Sequence, residues 1–182
     1  MAKLWWTLNK DAKPEAGQNW PTWYAPCMDN EQCRITLGVA TDKKELEEQP
    51  VFTPKFDADG LIPAVAMDAI TKEPLMLAYM NKESLLMTLD LNEAVYYSRS
   101  RQEIWHKGAT SGHIQKVVEI RTDCDQDALI LYVEQIGAGA CHTGRNSCFY
   151  RSVDLDNGRD PAALKFTKAD LTFNPDSIYG KK

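Results

Sequence analysis

The chain reads as an α+β protein, mainly antiparallel β with a few short helices in a single compact domain. Three features predict this. Apolar runs of strand length recur through the middle of the chain, turn residues separate them, and only one stretch pairs a helix cap with a longer apolar-periodic run. With 182 residues, 43% of them hydrophobic, there is enough apolar material for one sizeable core. The expected strands, in order, are Ile62–Met67, Pro74–Met80, Ala94–Ser100, Ile104–Lys107, Gln115–Arg121, Ala128–Gln135 and Ser147–Val153. Asn81 is placed to cap a helix over Lys82–Leu91, with Leu85, Leu86 and Leu89 on one side. Asp160-Pro161 predicts a short helix with proline at its first position.

The flanks differ in character. Residues 1–55 hold Trp5, Trp6, Trp20 and Trp23, four of the five tryptophans, together with Cys27 and Cys33. Aromatics at this density predict an extension that packs on the core or on a partner rather than a disordered tail. Pro14, Pro21, Pro26 and the charged run Asp42–Glu48 argue against long regular elements there. The expected division is therefore an extension over 1–55, a core over 56–155 and a tail over 156–182 that carries no recognisable chemistry. A formal charge of −5 argues against general nucleic-acid binding. No apolar run approaches the ~20 residues of a membrane span. The first residues lack an apolar core and a cleavage site, so the expected location is cytoplasmic.

Chemistry concentrates between Asp123 and Cys148. Three carboxylates (Asp123, Asp125, Asp127), three thiols (Cys124, Cys141, Cys148) and His142 share 26 residues. Carboxylates suit a hard ion such as Mg²⁺, and thiolates with imidazole suit Zn²⁺, so the interleaving predicts two metals side by side. In an extended strand the alternation Asp-x-Asp-x-Asp would send all three carboxylates to one face and Cys124 to the other. An EF-hand loop is excluded because its sixth position would be Ala128, not Gly, and its ninth Leu131. Three thiols leave a fourth zinc position open, as in a catalytic site. His142 is either that fourth ligand or a proton-transfer group. Five cysteines without a secretory leader favour a reduced compartment over a disulfide framework.

Five segments carry a resemblance: FDADGLIPAVAMD (Phe56 to Asp68), PLMLAYMNKESL (Pro74 to Leu85), YYSRSRQEIWHKGATSGHIQ (Tyr96 to Gln115), RTDCDQDALIL (Arg121 to Leu131) and GACHTGRNSCFYR (Gly139 to Arg151). Over about residues 56–152 the chain resembles the phosphoribosyl-AMP cyclohydrolases of histidine biosynthesis. The resemblance implies a hydrolase that opens the adenine ring between N1 and C6 by zinc-activated water, the third step of that pathway. It implies Zn²⁺ on Cys124, Cys141 and Cys148, and Mg²⁺ on Asp123, Asp125 and Asp127. It further implies an intertwined homodimer whose metal sites are shared across the interface, with Cys124 from one subunit and the other two thiols from its partner. The H-x-E signature of zinc deaminases is absent, which shifts the weight of acid–base chemistry to His142, either as proton shuttle or as fourth zinc ligand. The substrate carries two phosphates, and the wall expected to bind it comprises Arg99, Arg101, Trp105, His106, Lys107, Ser111 and His113. Two other readings stand beside this one. One is a paralogue acting on another nucleotide or under zinc limitation. The other is a non-catalytic zinc-binding protein on the same fold, which would have no need of His142 or of that wall.

Overall fold

The computed structural model describes residues 37–38, 42–155 and 163–180. Trp5, Trp6, Trp20, Trp23, Cys27, Cys33 and the helix expected at Asp160-Pro161 lie outside the described residues. A short helix α1 (Lys43–Glu48) precedes the sheet, and the Asp42 carboxylate caps it by accepting from the Glu45 N–H at 2.8 Å. The charged run that argued against a long element thus forms a single short turn of helix.

Six strands make the main sheet: β1 (Leu61–Asp68), β2 (Pro74–Asn81), β3 (Val95–Ser98), β4 (Glu103–His106), β5 (Gln115–Thr122) and β6 (Leu129–Gln135). Their spatial order is β4-β3-β2-β1-β6-β5. Neighbours pair antiparallel with one exception: β1 and β6 run parallel, from Ala64 opposite Leu129 to Asp68 opposite Val133. Sequence periodicity cannot anticipate this, because no hairpin joins the two strands. All of β2 to β5 intervenes, and a connection of that length permits either direction.

Alternation along β1 and β6 sets the core. Ile62, Ala64 and Ala66 are buried while Pro63, Val65 and Met67 are half-buried, and Leu129, Leu131 and Val133 alternate with more exposed neighbours. Leu75, Met80, Leu85 and Tyr96 complete the cluster. The β1–β2 turn is held by the Asp68 carboxylate, which accepts from the N–H groups of Ile70 and Thr71 at 2.9 and 2.7 Å. Those bonds, Thr71 foremost, hold Asp68 below the usual carboxylate range.

Helix α2 (Lys82–Leu91) starts where the cap predicts. Asn81 Oδ1 accepts from the Ser84 N–H at 2.8 Å, and Ser84 Oγ accepts from the Asn81 N–H at 3.0 Å. Its inner face differs from expectation: Ser84, Leu85, Met87 and Thr88 are buried, and Leu86 and Leu89 are half-buried. The cause is Thr88, whose Oγ1 donates to the Ser84 carbonyl at 2.8 Å and accepts from the Val95 N–H at 3.0 Å, tying the helix to β3.

Three further strand expectations are corrected. Ala94–Ser100 shortens to Val95–Ser98, because residues 99–102 form the turn into β4. Only Arg151–Val153 of Ser147–Val153 is a strand, β7, which pairs with β8 (Leu164–Phe166) in a separate two-stranded sheet. Residues 147–149 are instead tied to the start of β2: Ser147 Oγ donates to the Pro74 carbonyl at 2.6 Å, and the Cys148 N–H donates to the Leu75 carbonyl at 2.7 Å. The Asp123–Asp127 run is a turn between β5 and β6 rather than an extended strand. A last short helix, α3 (Asp176–Tyr179), follows Pro175. Among the described residues no helix is long and apolar enough to cross a membrane.

A polar chain crosses the core. The fully buried Tyr96 hydroxyl donates to Gln115 Oε1 at 2.8 Å, and Gln115 Nε2 donates to Gln135 Oε1 at 3.0 Å. Burial pushes the Tyr96 hydroxyl well above its ordinary range, so it stays a donor. Tyr96→Phe strands the buried Gln115 oxygen and is expected to cost about 1–3 kcal/mol. Urea denaturation checks this; a midpoint equal to wild type would contradict it.

Candidate active site

The loop 137–148 delivers two thiols. Cys141 is buried at 3% exposure, and its N–H donates to the Arg145 carbonyl at 3.0 Å while its carbonyl accepts from the Gly144 N–H at 3.1 Å. Gly144 sits at φ 85°, and a Cβ there would lie 2.5 Å from the Phe173 carbonyl oxygen, so the tight turn also needs the residue type. The tail clamps this turn, with the Thr172 N–H donating to the Gly144 carbonyl at 2.7 Å. The Cys141 thiol meets the Thr143 hydroxyl at 3.0 Å. Cys148 lies beside Cys141. Burial raises the pKa of the Cys148 thiol first, and the neighbouring Cys141 raises it further. Two soft donors thus face one another, and a soft cation binding there displaces the proton held by the Cys148 thiol.

Lys107 stands behind them at 3% exposure, its ammonium donating to the His113 carbonyl at 3.1 Å. Burial lowers its pKa, while Cys148 and Cys141 oppose that shift. His113 is buried with Nδ1 unpartnered among the described residues, and its ring meets Phe173 edge-on at 4.7 Å. Gly137 makes room for it, since a Cβ there would lie 2.6 Å from the imidazole.

The third thiol is elsewhere. Cys124 is exposed on the β5–β6 turn with the aspartates. Among the described residues the one group of three His, Cys, Asp or Glu side chains that can share an ion is Asp123, Asp125 and Asp127, with ligand atoms all within 4.8 Å. One chain therefore joins Cys141 with Cys148 and does not bring Cys124 to them. Asp123 Oδ1 is oriented by the N–H groups of Asp127 and Ala128, both at 3.1 Å. Asp125 foremost, with Asp123 contributing, pushes the Asp127 carboxyl above its usual range. Mutual repulsion of that kind is what a hard cation relieves, so the donor set fits Mg²⁺. Protons compete for the same oxygens, and such a cation is released as pH falls.

One residue of this turn and one that reaches it from before β1 had no place in the sequence-based expectation. Lys55 Nζ approaches Asp125 Oδ2 at 3.5 Å. Gln126, at φ 58°, turns its amide inward to donate to the carbonyls of Leu46 and Val51, both at 3.0 Å, and to accept from the Thr53 N–H at 2.7 Å. The only sequence signal was an uncharged residue amid three aspartates. Lys55 competes with any cation for Asp125, so Lys55→Gln is expected to tighten Mg²⁺ binding about two- to fivefold, the scale of an exposed ion pair. Calorimetric titration at low salt reads this directly.

A cleft of about 760 Å³ opens beside the thiols. Of the predicted residues, Arg101, Trp105, His106, Lys107, Ser111, His142 and Cys148 line it. Arg99 does not; it borders a neighbouring hollow of about 520 Å³. His113, also expected in the wall, does not line the cleft; its carbonyl holds the Lys107 ammonium and its ring packs on Phe173. His106 Nε2 lies 2.8 Å from Glu93 Oε2, a partner that sequence spacing gave no sign of.

These motifs match known proteins. A family model described as phosphoribosyl-AMP cyclohydrolase matches residues 76–150. A phosphoribosyl-AMP cyclohydrolase of Rhodopseudomonas palustris (strain TIE-1) is 51% identical over 154 residues, 85% of this chain and 100% of that protein. One from Bradyrhizobium diazoefficiens is 56% identical over 143 residues, covering 79% and 100% respectively. One from Rhizobium rhizogenes is 52% identical over 143 residues, covering 78% and 95%. A match over 154 residues is longer than the stretch from residue 56 to Lys182, so the similarity reaches into the segment before the core. The chain belongs to the phosphoribosyl-AMP cyclohydrolase family.

Proposed function

We propose that this protein hydrolyses phosphoribosyl-AMP, opening its purine ring as a step of histidine biosynthesis. The observation that carries the reading is the single cleft in which His142 and Cys148 face Arg101, Trp105 and Ser111. Water adds across the N1–C6 bond, its oxygen staying on C6 as a carboxamide and a proton going to N1. Trp105 offers a ring face for the purine, and Arg101 and Ser111 offer N–H and O–H donors to phosphate oxygens. His142, exposed in the cleft wall, takes the proton from water and returns it at N1. Glu93 fixes the orientation of the His106 ring.

Cys141 and Cys148 would hold Zn²⁺ together with Cys124 from a second copy of the chain, and the aspartate turn would hold Mg²⁺. Zinc, when bound, supplies the Lewis acidity that makes water nucleophilic near neutral pH. A homodimer accounts for a Cys124 that stands apart from its partner thiols within one chain. The test is an assay of purified protein with phosphoribosyl-AMP, following ring opening before and after chelation and again after zinc is restored. Activity that survives complete metal removal would overturn the zinc reading, and no ring opening at any metal content would overturn the substrate.

A further inference from the structure

The turn joining β3 to β4 sorts two arginines to different places. In a continuous strand Arg99 and Arg101, two residues apart, would share a face. The strand instead stops at Ser98, and residues 99–102 turn, closed by the Gln102 N–H donating to the Ser98 carbonyl at 2.7 Å with Gln102 at φ 55°. The Arg99 guanidinium lies over the Tyr79 ring, 3.8 Å from its centroid, at the hollow of about 520 Å³. Arg101 goes the other way, to the cleft of about 760 Å³, 6.0 Å from the Trp105 centroid. Ser98, Ser100 and Trp105 belong to the walls of both, and form the ridge between them.

The two arginines also differ in charge balance. Arg101 is paired with Glu103 at 2.7 Å. No carboxylate among the described residues lies within ion-pair distance of Arg99. Its stacking on Tyr79 steadies the guanidinium and leaves its N–H edge free for bidentate donation to an anion. The Ser98 and Ser100 side chains stand beside it in the same hollow. Lys107, by contrast, has its ammonium turned to the His113 carbonyl.

Phosphoribosyl-AMP carries two phosphate monoesters, one on each ribose, each with a charge of about −1.5 to −2 at neutral pH. Seating both in the larger cleft would set two phosphates against one arginine, Arg101, whose charge is already shared with Glu103. We propose that the substrate straddles the Trp105 ridge. One phosphate is held by Arg99 in the smaller hollow. The other is held by Arg101 with the Gly108–Ser111 loop in the larger cleft. This rests on the substrate proposed above.

The experiment uses full-length protein and three substrates: phosphoribosyl-AMP and the two analogues that each lack one phosphate. Arg99→Ala is expected to lower kcat/KM about 10–100-fold on the intact substrate and on one analogue. On the analogue missing the phosphate that Arg99 holds, the loss should be within twofold. Arg101→Ala should show the same loss with the analogues exchanged. A uniform loss on all three substrates, no loss for Arg99→Ala, or both variants insensitive on the same analogue would overturn the partition. Thermal midpoints equal to wild type keep a folding defect from imitating the uniform result. A wild-type protein that leaves intact phosphoribosyl-AMP unopened sinks the substrate reading and the partition with it. An active wild type with uniform losses sinks the partition alone.

Discussion

Cys141→Ser is expected to strip zinc from the protein and reduce ring opening to background while leaving the fold in place. Cys141 is buried, its thiol meets the Thr143 hydroxyl and the Cys148 thiol, and it stands outside the apolar cluster around Ile62, Leu75 and Leu131. Serine keeps the volume and a hydrogen-bonding group and removes the soft donor. Changing a residue behind a metal ligand typically costs about 10–100-fold in metal affinity, and removing the ligand itself is expected to cost more. Zinc content, circular dichroism and turnover on one preparation check this. A full equivalent of zinc in the variant would refute the assignment. Protons released per zinc bound give a second reading, because the raised Cys148 thiol must lose its proton to ligate.

His142→Ala carries the second large effect. His142 lines the cleft and is exposed. As the proton relay proposed above, it is not needed to hold zinc. The variant is expected to keep its zinc and lose about 10²–10⁴-fold in turnover, the usual scale for a lost acid–base group. Zinc lost in proportion to activity would make His142 a ligand instead. Full zinc with near-normal turnover would leave it no part in the chemistry.

Both substitutions address residues legible without any structure, and the reason is local chemistry. Thiols, carboxylates and an imidazole within 26 residues are a poor composition for a solvated loop and a good one for metals. Strand alternation and the Asn81 cap were legible for the same reason, since each depends on neighbours within a few positions. The direction of a strand relative to a distant one does not. The parallel β1–β6 pair is therefore the one pairing in the sheet that the mainly antiparallel expectation did not specify. The aspartates show the boundary within one motif. Their convergence was foreseen, yet it comes from a turn in which Gln126 folds inward onto residues 46–53, not from strand alternation.

The sequence by itself determined the strands of the sheet, the capped helix, the family and the residue types available for two kinds of metal. Each of these is written in spacing and side-chain chemistry. Tertiary structure decided which of those residues meet. It set Cys148 beside Cys141 by tying its backbone to Leu75, and left Cys124 on a separate turn. It brought Phe173 of the tail, for which no role was foreseen, against His113 and the thiol loop. It sent Arg99 and Arg101 to opposite sides of Trp105 by ending β3 at Ser98. These outcomes depend on hydrogen bonds and packing between positions tens of residues apart, and the free energy of such contacts belongs to the folded surface rather than to any window of the chain.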